Sequence, residues 1–316
     1  MLEIRRPGSS SAPRAADQNT PDSLALFRRD WREGQEGLSP CALTATENQC
    51  CDHRVTDEQQ QAASDALWDL WQRGRRIDEL ADGCRPLTRE DGYAIQARLE
   101  RRSAFPLFGW KIAATSEAGQ AHIAVDGPLA GRLLAERVFE SGSRLHVGSN
   151  HMRVAEAEFA FRLAVDLPPR SRRYGVDEVL AGVESLHPAI EIPDSRYVDF
   201  TAVGVAQLIA DNACAHHFVL GPAAPDAWRS IDLTEHQVIG SVAGRLEHVG
   251  IGANVLGDPR EALTWLVNEL SHLGLPLRAG QVVTTGTCLV PLPISAGDRV
   301  KCDFGALGAA DVAFVD

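Results

Sequence analysis

Two glutamates two residues apart are the first feature that could do chemistry. In the segment RVAEAEFAFR (153–162), extended backbone puts Ala157, Phe159, Phe161, Leu163 and Val165 on one face and Glu156, Glu158, Ala160 and Arg162 on the other. Two carboxylates projecting the same way repel each other, which water tolerates and a drier site relieves with a cation. A third carboxylate, Glu191, sits inside the apolar run PAIEIP. Hard oxygen donors from two strands suit Mg²⁺ or Mn²⁺, with water and substrate filling the remaining positions. The same residues also fit a solvated strand face on which Arg153 and Arg162 balance Glu156 and Glu158.

Lys111 is the second such feature, because it lies within the aromatic and apolar string FGWKIA (108–113). Lysine is seldom buried without a partner. Desolvation lowers the pKa of a buried lysine and suits it to proton transfer. At a strand edge the same side chain would instead reach out to water.

These groups need a scaffold. Thr56 can cap a helix, with Gln59 reaching back from the third helical position, and Ala63, Ala66, Leu67, Leu70 and Trp71 follow at helical spacing. A second helix is expected from Thr88 through GYAIQARLERR. From Phe108 onward short strand-like runs dominate, punctuated by Pro and Gly. Helices are expected between them near 177–186, 202–212 and 259–273, the last with Asp258 as cap, Pro259 in its first turn and Gly274 past its end. With no repeat and no regular strand–helix alternation, the pattern is α+β: a flexible extension over residues 1–55, a helical segment over 56–107, and a largely antiparallel β-rich domain over 108–316. The adjacent His216 and His217 are expected to point to opposite faces of one strand.

The chain of 316 residues is 44% hydrophobic and 23% charged, which fits a globular protein rather than a disordered one. Its net charge of −12 disfavours broad binding to nucleic acid or an anionic membrane, and an anionic substrate would need local neutralisation, for which a metal serves. No apolar window reaches the roughly 18 residues of a membrane span, and the N-terminus carries no secretory signal pattern. Seven cysteines without CxxC spacing fit a reducing cytoplasm; Cys41, Cys50, Cys51 and His53 form a weak zinc pattern, since adjacent cysteines do not make the usual paired-ligand loop. The phosphate-binding, dinucleotide-binding, serine-hydrolase and zinc-protease motifs are all missing.

In order along the chain, GWKIAATS, AVDGPLAGRL, AEAEFAF, PAIEIPDSR, DNACAHHFVLG, VTTGTCLVPLPISAGD and VKCDFGALG resemble the fumarylacetoacetate hydrolase superfamily, in its 2-keto-4-pentenoate hydratase and 4-oxalocrotonate decarboxylase branch. The resemblance covers roughly residues 58–316. It implies a mixed, largely antiparallel β-roll or sandwich behind an N-terminal helical segment, assembled as a homo-oligomer. It also implies Mg²⁺ or Mn²⁺ held by Glu156, Glu158 and Glu191. Lys111 matches the family's GWK lysine and Asp126 its VDxP aspartate, both expected to transfer protons or orient the water, and Thr285, Gly286 and Thr287 match the turn that approaches the substrate. Ala113 and Ala114 stand where relatives often carry glycine.

The implied reaction belongs to the catabolism of aromatic compounds. A 2-hydroxy-2,4-dienoate becomes the ketone with protonation at C5, and water then adds at C4 to give a 4-hydroxy-2-oxo acid, the metal stabilising charge on O2. Lys111 beside a metal is expected to have a lowered pKa. A decarboxylase on the same scaffold would use the same ligands but would need room for a second carboxylate. A non-catalytic partner subunit would have no chemical use for a buried lysine beside three carboxylates.

Overall fold

The computed structural model describes residues 55–316; the expected extension ahead of Val55, with Cys41, Cys50, Cys51 and His53, lies outside the described residues. Helix α1 (Asp57–Arg73) starts as its sequence dictates, with Thr56 Oγ1 accepting from the Gln59 amide and the Gln59 side chain accepting from the Thr56 N–H at 2.8 Å. Helix α2 (Arg89–Ala97) has the same reciprocal cap between Thr88 and Asp91 and runs on into a 3₁₀ turn.

The β-rich part opens with β1 (Gly109–Ala113), α3 (Glu117–His122), β2 (Leu129–Leu133), β3 (Val138–Glu140) and β4 (Arg144–His146). Next come β5 (Val154–Leu163), α4 (Val176–Ala181), β6 (Val183–Ile192), α5 (Val205–Ala210), β7 (His217–Leu220), β8 (Gln237–Val242) and β9 (Leu246–Ile251). Helix α6 (Pro259–His272) follows, then β10 (Val282–Thr287), β11 (Leu292–Pro293), β12 (Arg299–Asp303) and β13 (Ala309–Val315). One sheet runs β2-β1-β10-β5-β6-β7-β3, with β11 also on β5, and the other runs β4-β13-β12-β8-β9. Pairing is mostly antiparallel; among the described strands β1 with β10, β3 with β7 and β4 with β13 are parallel. The architecture is the expected α+β arrangement of curled, mixed sheets behind a helical segment.

The apolar face of β5 does what its alternation predicts. Ala157, Phe159, Phe161 and Leu163 are buried in one core with Ile190 of β6, Val238 of β8, Val300 of β12 and Phe314 of β13. The opposite face is not solvated: Ala160 packs with Leu133, Ala189, Phe218 and Val282, and Glu158 is fully buried. A separate cluster ties the helices together through Ala63, Leu67, Leu80, Ile95, Tyr197 and Ala210.

Two local expectations change. The helix expected over 177–186 stops at Ala181, because Gly182 ends it and the residues from Val183 onward pair with β5, Val183 opposite Leu163. His216 and His217 do not diverge: His216 precedes β7, where strand alternation does not apply, and the two rings lie 4.0 Å apart. His216 Nδ1 accepts from Trp71 Nε1 at 2.8 Å, as a packed histidine does.

Candidate metal and proton-transfer site

Four neighbouring strands bring the candidate residues into one row. On β1, Lys111 stands beside Thr284 of β10; on β10, Thr287 stands beside Glu158 of β5; and Glu156 of β5 stands directly opposite Glu191 of β6. One carboxylate oxygen from each of Glu156, Glu158 and Glu191 lies within 4.8 Å of the other two. Glu158 and Glu191 are buried, whereas Glu156 is partly exposed to a cavity of about 680 Å³ that Lys111, Gly286 and Thr287 also line.

The carboxylates are under-satisfied, and that is the physical case for a cation. Glu158 Oε2 accepts from Thr284 Oγ1 and from the Gly286 amide at 2.9 Å, but its Oε1 has no hydrogen-bond partner. Neither oxygen of Glu191 has one either; Lys111 Nζ lies 3.1 Å from Glu191 Oε1 without the alignment of a hydrogen bond, so that attraction is Coulombic. Buried anionic oxygens without donors are costly. When ionised, three carboxylates and one ammonium carry −3 + 1 = −2, which one divalent cation cancels. Oxygen donors of this charge fit Mg²⁺ or a similar hard ion.

The pKa shifts report the same crowding. Burial, then the charge of Glu191, push the Glu156 carboxyl up to about 7. Burial and the two neighbouring glutamates raise Glu158 well above its ordinary value, and burial raises Glu191 against the opposing pull of Lys111. For Lys111, burial acts downward, but attraction to Glu191, Glu156 and Glu158 outweighs it and holds the ammonium above its ordinary pKa. The lowered value expected for a lysine facing a metal is therefore not what the carboxylates alone produce.

The backbone around Lys111 is shaped for it. A Cβ at Gly131, its partner on β2, would lie 2.5 Å from the Asn212 carbonyl oxygen and 2.9 Å from Lys111 Cδ, so only glycine leaves space for the lysine stem. Lys111 Nζ donates to the Ala213 carbonyl at 2.9 Å. Ala213 belongs to a run of three non-glycine residues in the left-handed region, with φ of 58°, 50° and 60° at Asn212, Ala213 and Cys214.

Two expected residues do not point at the glutamates. The Thr285 hydroxyl turns away from the glutamates and donates to the Phe159 carbonyl at 3.0 Å, and Thr284 takes the place facing Glu158. A bulge between Thr284 and Thr287 shifts the register, and Gly286 supplies it at φ 92°. Asp126 is not brought to the carboxylates: its side chain is 86% exposed and pairs with Arg89 at 3.2 Å. Arg89 also donates to the Pro128 carbonyl at 2.6 Å, so Asp126 helps fasten the turn between α3 and β2 to α2. Thr284, Gly131 and the 212–214 turn shape the candidate site and were missed by motif reading. Register and backbone angles, which motif strings do not encode, are what reveal them.

No family model matches the chain. It is 32% identical over 263 residues to the 2-keto-4-pentenoate hydratase of Paraburkholderia xenovorans (strain LB400), covering 82% of this chain and 96% of that one. It is also 32% identical over 256 residues to the 2-hydroxyhexa-2,4-dienoate hydratase of Comamonas testosteroni, covering 79% and 95%. Among solved structures, the 4-oxalocrotonate decarboxylase from Pseudomonas putida G7, complexed with magnesium and adipate, matches with a TM-score of 0.76 at 25% identity, over 83% of this chain and all of that one.

Proposed function

The chain belongs to the 2-keto-4-pentenoate hydratase family, and on that premise we propose that it is a hydro-lyase converting 2-hydroxypenta-2,4-dienoate or a close homologue to the 4-hydroxy-2-oxo acid. The observation that carries the reading is the cluster of Glu156, Glu158 and Glu191 beside Lys111, with unpaired oxygens on Glu158 and Glu191 and with Glu156 and Lys111 lining one cavity.

Glu156, Glu158 and Glu191 would hold Mg²⁺, or Mn²⁺ in its place, and the bound ion supplies Lewis-acid stabilisation of negative charge on the substrate's 2-oxygen. The other contributions come from the chain. Thr284 and the Gly286 amide hold Glu158 by one oxygen and leave the other directed at the cluster. The Ala213 carbonyl and Glu191 hold Lys111 at the cavity wall. With Asp126 at the surface, Lys111 is the residue that delivers and recovers the proton. Once the carboxylate charge is neutralised, burial lowers its pKa and lets the amine serve in both directions. The apolar wall of the cavity limits competing protonation by bulk water.

The reading extends to a homo-oligomer working in the cytoplasm. Ile239 and Val249 face each other across β8 and β9 and are both exposed, an apolar pair that a second copy would cover. No helix among the described residues is long and apolar enough to cross a membrane.

The decisive assay follows the ultraviolet absorbance of freshly generated 2-hydroxypenta-2,4-dienoate with purified protein and Mg²⁺, then with EDTA. Metal-dependent loss of the dienoate with 4-hydroxy-2-oxopentanoate as product is the expected result. Release of CO₂ from 4-oxalocrotonate without dienoate hydration would assign the decarboxylase reaction instead.

A further inference from the structure

We propose that the Thr115 hydroxyl holds the substrate's 1-carboxylate, donating to the oxygen that a metal on the glutamates leaves free; the inference rests on the hydratase reading and adds the residue that grips the acid end of its substrate. Thr115 is 5% exposed and lines the cavity that Lys111 and Glu156 share. Its side chain lies against the bulge whose Gly286 amide holds Glu158: a Cβ at Gly286 would fall 2.2 Å from Thr115 Oγ1 and 2.8 Å from its Cγ2. Among the described residues no hydrogen bond reaches that hydroxyl, although the backbone around it is held on both sides. The Leu256 amide donates to the Thr115 carbonyl at 2.8 Å, and Gln120 Nε2 donates to the Ala114 carbonyl at 3.1 Å. Ala114 sits at φ 58° where the chain leaves β1, a left-handed angle that is costly for a residue with a Cβ. A buried hydroxyl without a partner is costly as well. Both costs fall on a residue facing the cavity, and a ligand there would offset the second.

The other polar groups of the cavity wall are exposed or engaged. Ser116, His122 and Asn254 are exposed, and Ser116 also caps α3 by accepting from the Gly119 amide at 3.1 Å. The Thr287 hydroxyl donates to the Leu289 carbonyl at 2.8 Å, and Lys111 Nζ to the Ala213 carbonyl at 2.9 Å. A 2-hydroxy or 2-oxo acid offers a metal its 2-oxygen and one carboxylate oxygen. The second carboxylate oxygen is then anionic, stripped of water and in want of a donor. Thr115 is the buried hydroxyl positioned beside the glutamates to supply it, and a hydrogen bond to a charged acceptor is worth roughly 10- to 100-fold in binding.

The test uses the Mg²⁺-loaded full chain, Thr115→Val, which keeps the shape and removes the hydroxyl, and Thr115→Ser, which restores it. Two chelators are titrated calorimetrically into each: oxalate, which keeps a free carboxylate oxygen when it chelates, and acetohydroxamate, which presents a methyl group there instead. Thr115→Val should weaken oxalate by roughly 10- to 100-fold and leave acetohydroxamate and Mg²⁺ affinity unchanged, and Thr115→Ser should recover oxalate binding. On 2-hydroxypenta-2,4-dienoate the valine variant should raise KM and spare kcat, because the bond is made equally in the ground and transition states. Without ligand its thermal midpoint should not fall, since the hydroxyl has no partner to lose. Oxalate bound as tightly by Thr115→Val as by the parent chain, no oxalate binding by the parent chain, or a parallel loss of both chelators or of Mg²⁺ affinity overturns the proposal, the last making Thr115 a support of the metal site alone. If the parent chain does not hydrate the dienoate, the hydratase reading fails instead, and the oxalate and acetohydroxamate titrations still decide the role of Thr115.

Discussion

Lys111 Nζ donates to the carbonyl of Ala213 at 2.9 Å, and Ala213 holds that carbonyl in place from a left-handed backbone, at φ 50°. A left-handed non-glycine residue costs roughly 1–2 kcal/mol, and here three occur in succession. The offset comes from Asn212, whose side chain accepts from the Arg132 amide at 2.6 Å and donates to the Arg132 carbonyl at 2.9 Å, both within the buried interior. The strained turn is thus pinned to β2, the strand whose Gly131 makes room for the lysine.

Asn212→Ala should therefore reach the lysine without touching it. Loss of both bonds leaves two buried backbone groups of Arg132 unsatisfied, at about 1–3 kcal/mol each. Denaturant unfolding should show destabilisation of that order, and kcat should fall more than KM rises if Lys111, which loses its anchor, carries the proposed proton transfer. An unchanged kcat in folded protein would detach the turn from catalysis.

Removing the lysine separates its two possible roles. Lys111→Met keeps most of the stem volume and removes the amine, so turnover should fall by ~10²-fold or more if Lys111 is the proposed proton donor. Mg²⁺ affinity should hold or rise, since a cation 3.1 Å from Glu191 competes with the metal for the same charge. Isothermal titration beside steady-state kinetics reads both quantities. A variant that binds Mg²⁺ weakly but turns over normally once saturated would make Lys111 an element of the metal site rather than of proton transfer.

Gly286→Ala tests whether the bulge is what delivers the amide to Glu158. The added Cβ would lie 2.2 Å from Thr115 Oγ1, on backbone already at φ 92°. Relief requires Thr115 and the bulge to move apart, which draws the 286 amide away from Glu158 Oε2, now 2.9 Å away. Stability should drop by about 1–3 kcal/mol, and the Mg²⁺ requirement for half-maximal activity should rise by ~10-fold or more. Unaltered metal dependence in a folded variant would show that Thr284 alone suffices to orient Glu158.

How far the sequence could go is visible at these positions. Strand alternation put Glu156 and Glu158 on one face, and the run around Glu191 marked the neighbouring strand, because period-two patterning survives in any strand with one strongly apolar face. The capping boxes at Thr56 and Thr88 were legible for a similar reason: both partners lie within four residues. What escaped was non-local or depended on backbone angles. Whether Thr284 or Thr285 faces Glu158 hinges on a one-residue register shift at a bulge. Asp126 carries the right chemistry for proton transfer, yet a long-range pairing with Arg89 of α2 keeps it at the surface. The left-handed run at 212–214 has no compositional mark, since only its asparagine is a residue type that tolerates such angles.

The crowding of carboxylates predicts how pH and metal together control stability. Glu156 is pushed up to about 7 from an ordinary 4.5, and Glu158 and Glu191 are raised as well, so without a cation the folded chain binds more protons than the unfolded one. Folding is then favoured by these groups below pH ~4.5, and that advantage is lost as pH rises through about 7. Mg²⁺ held by the three glutamates, as proposed, would take the place of those protons, so its binding should release protons and its stabilising effect should grow with pH. Thermal unfolding at pH 5 to 8, in EDTA and in excess Mg²⁺, should show two curves that diverge upward in pH. Glu156→Gln should narrow the gap by removing the carboxylate that shares most contact with the cavity. Curves that stay parallel across this range would mean that the three glutamates are not competing for protons and metal at one site.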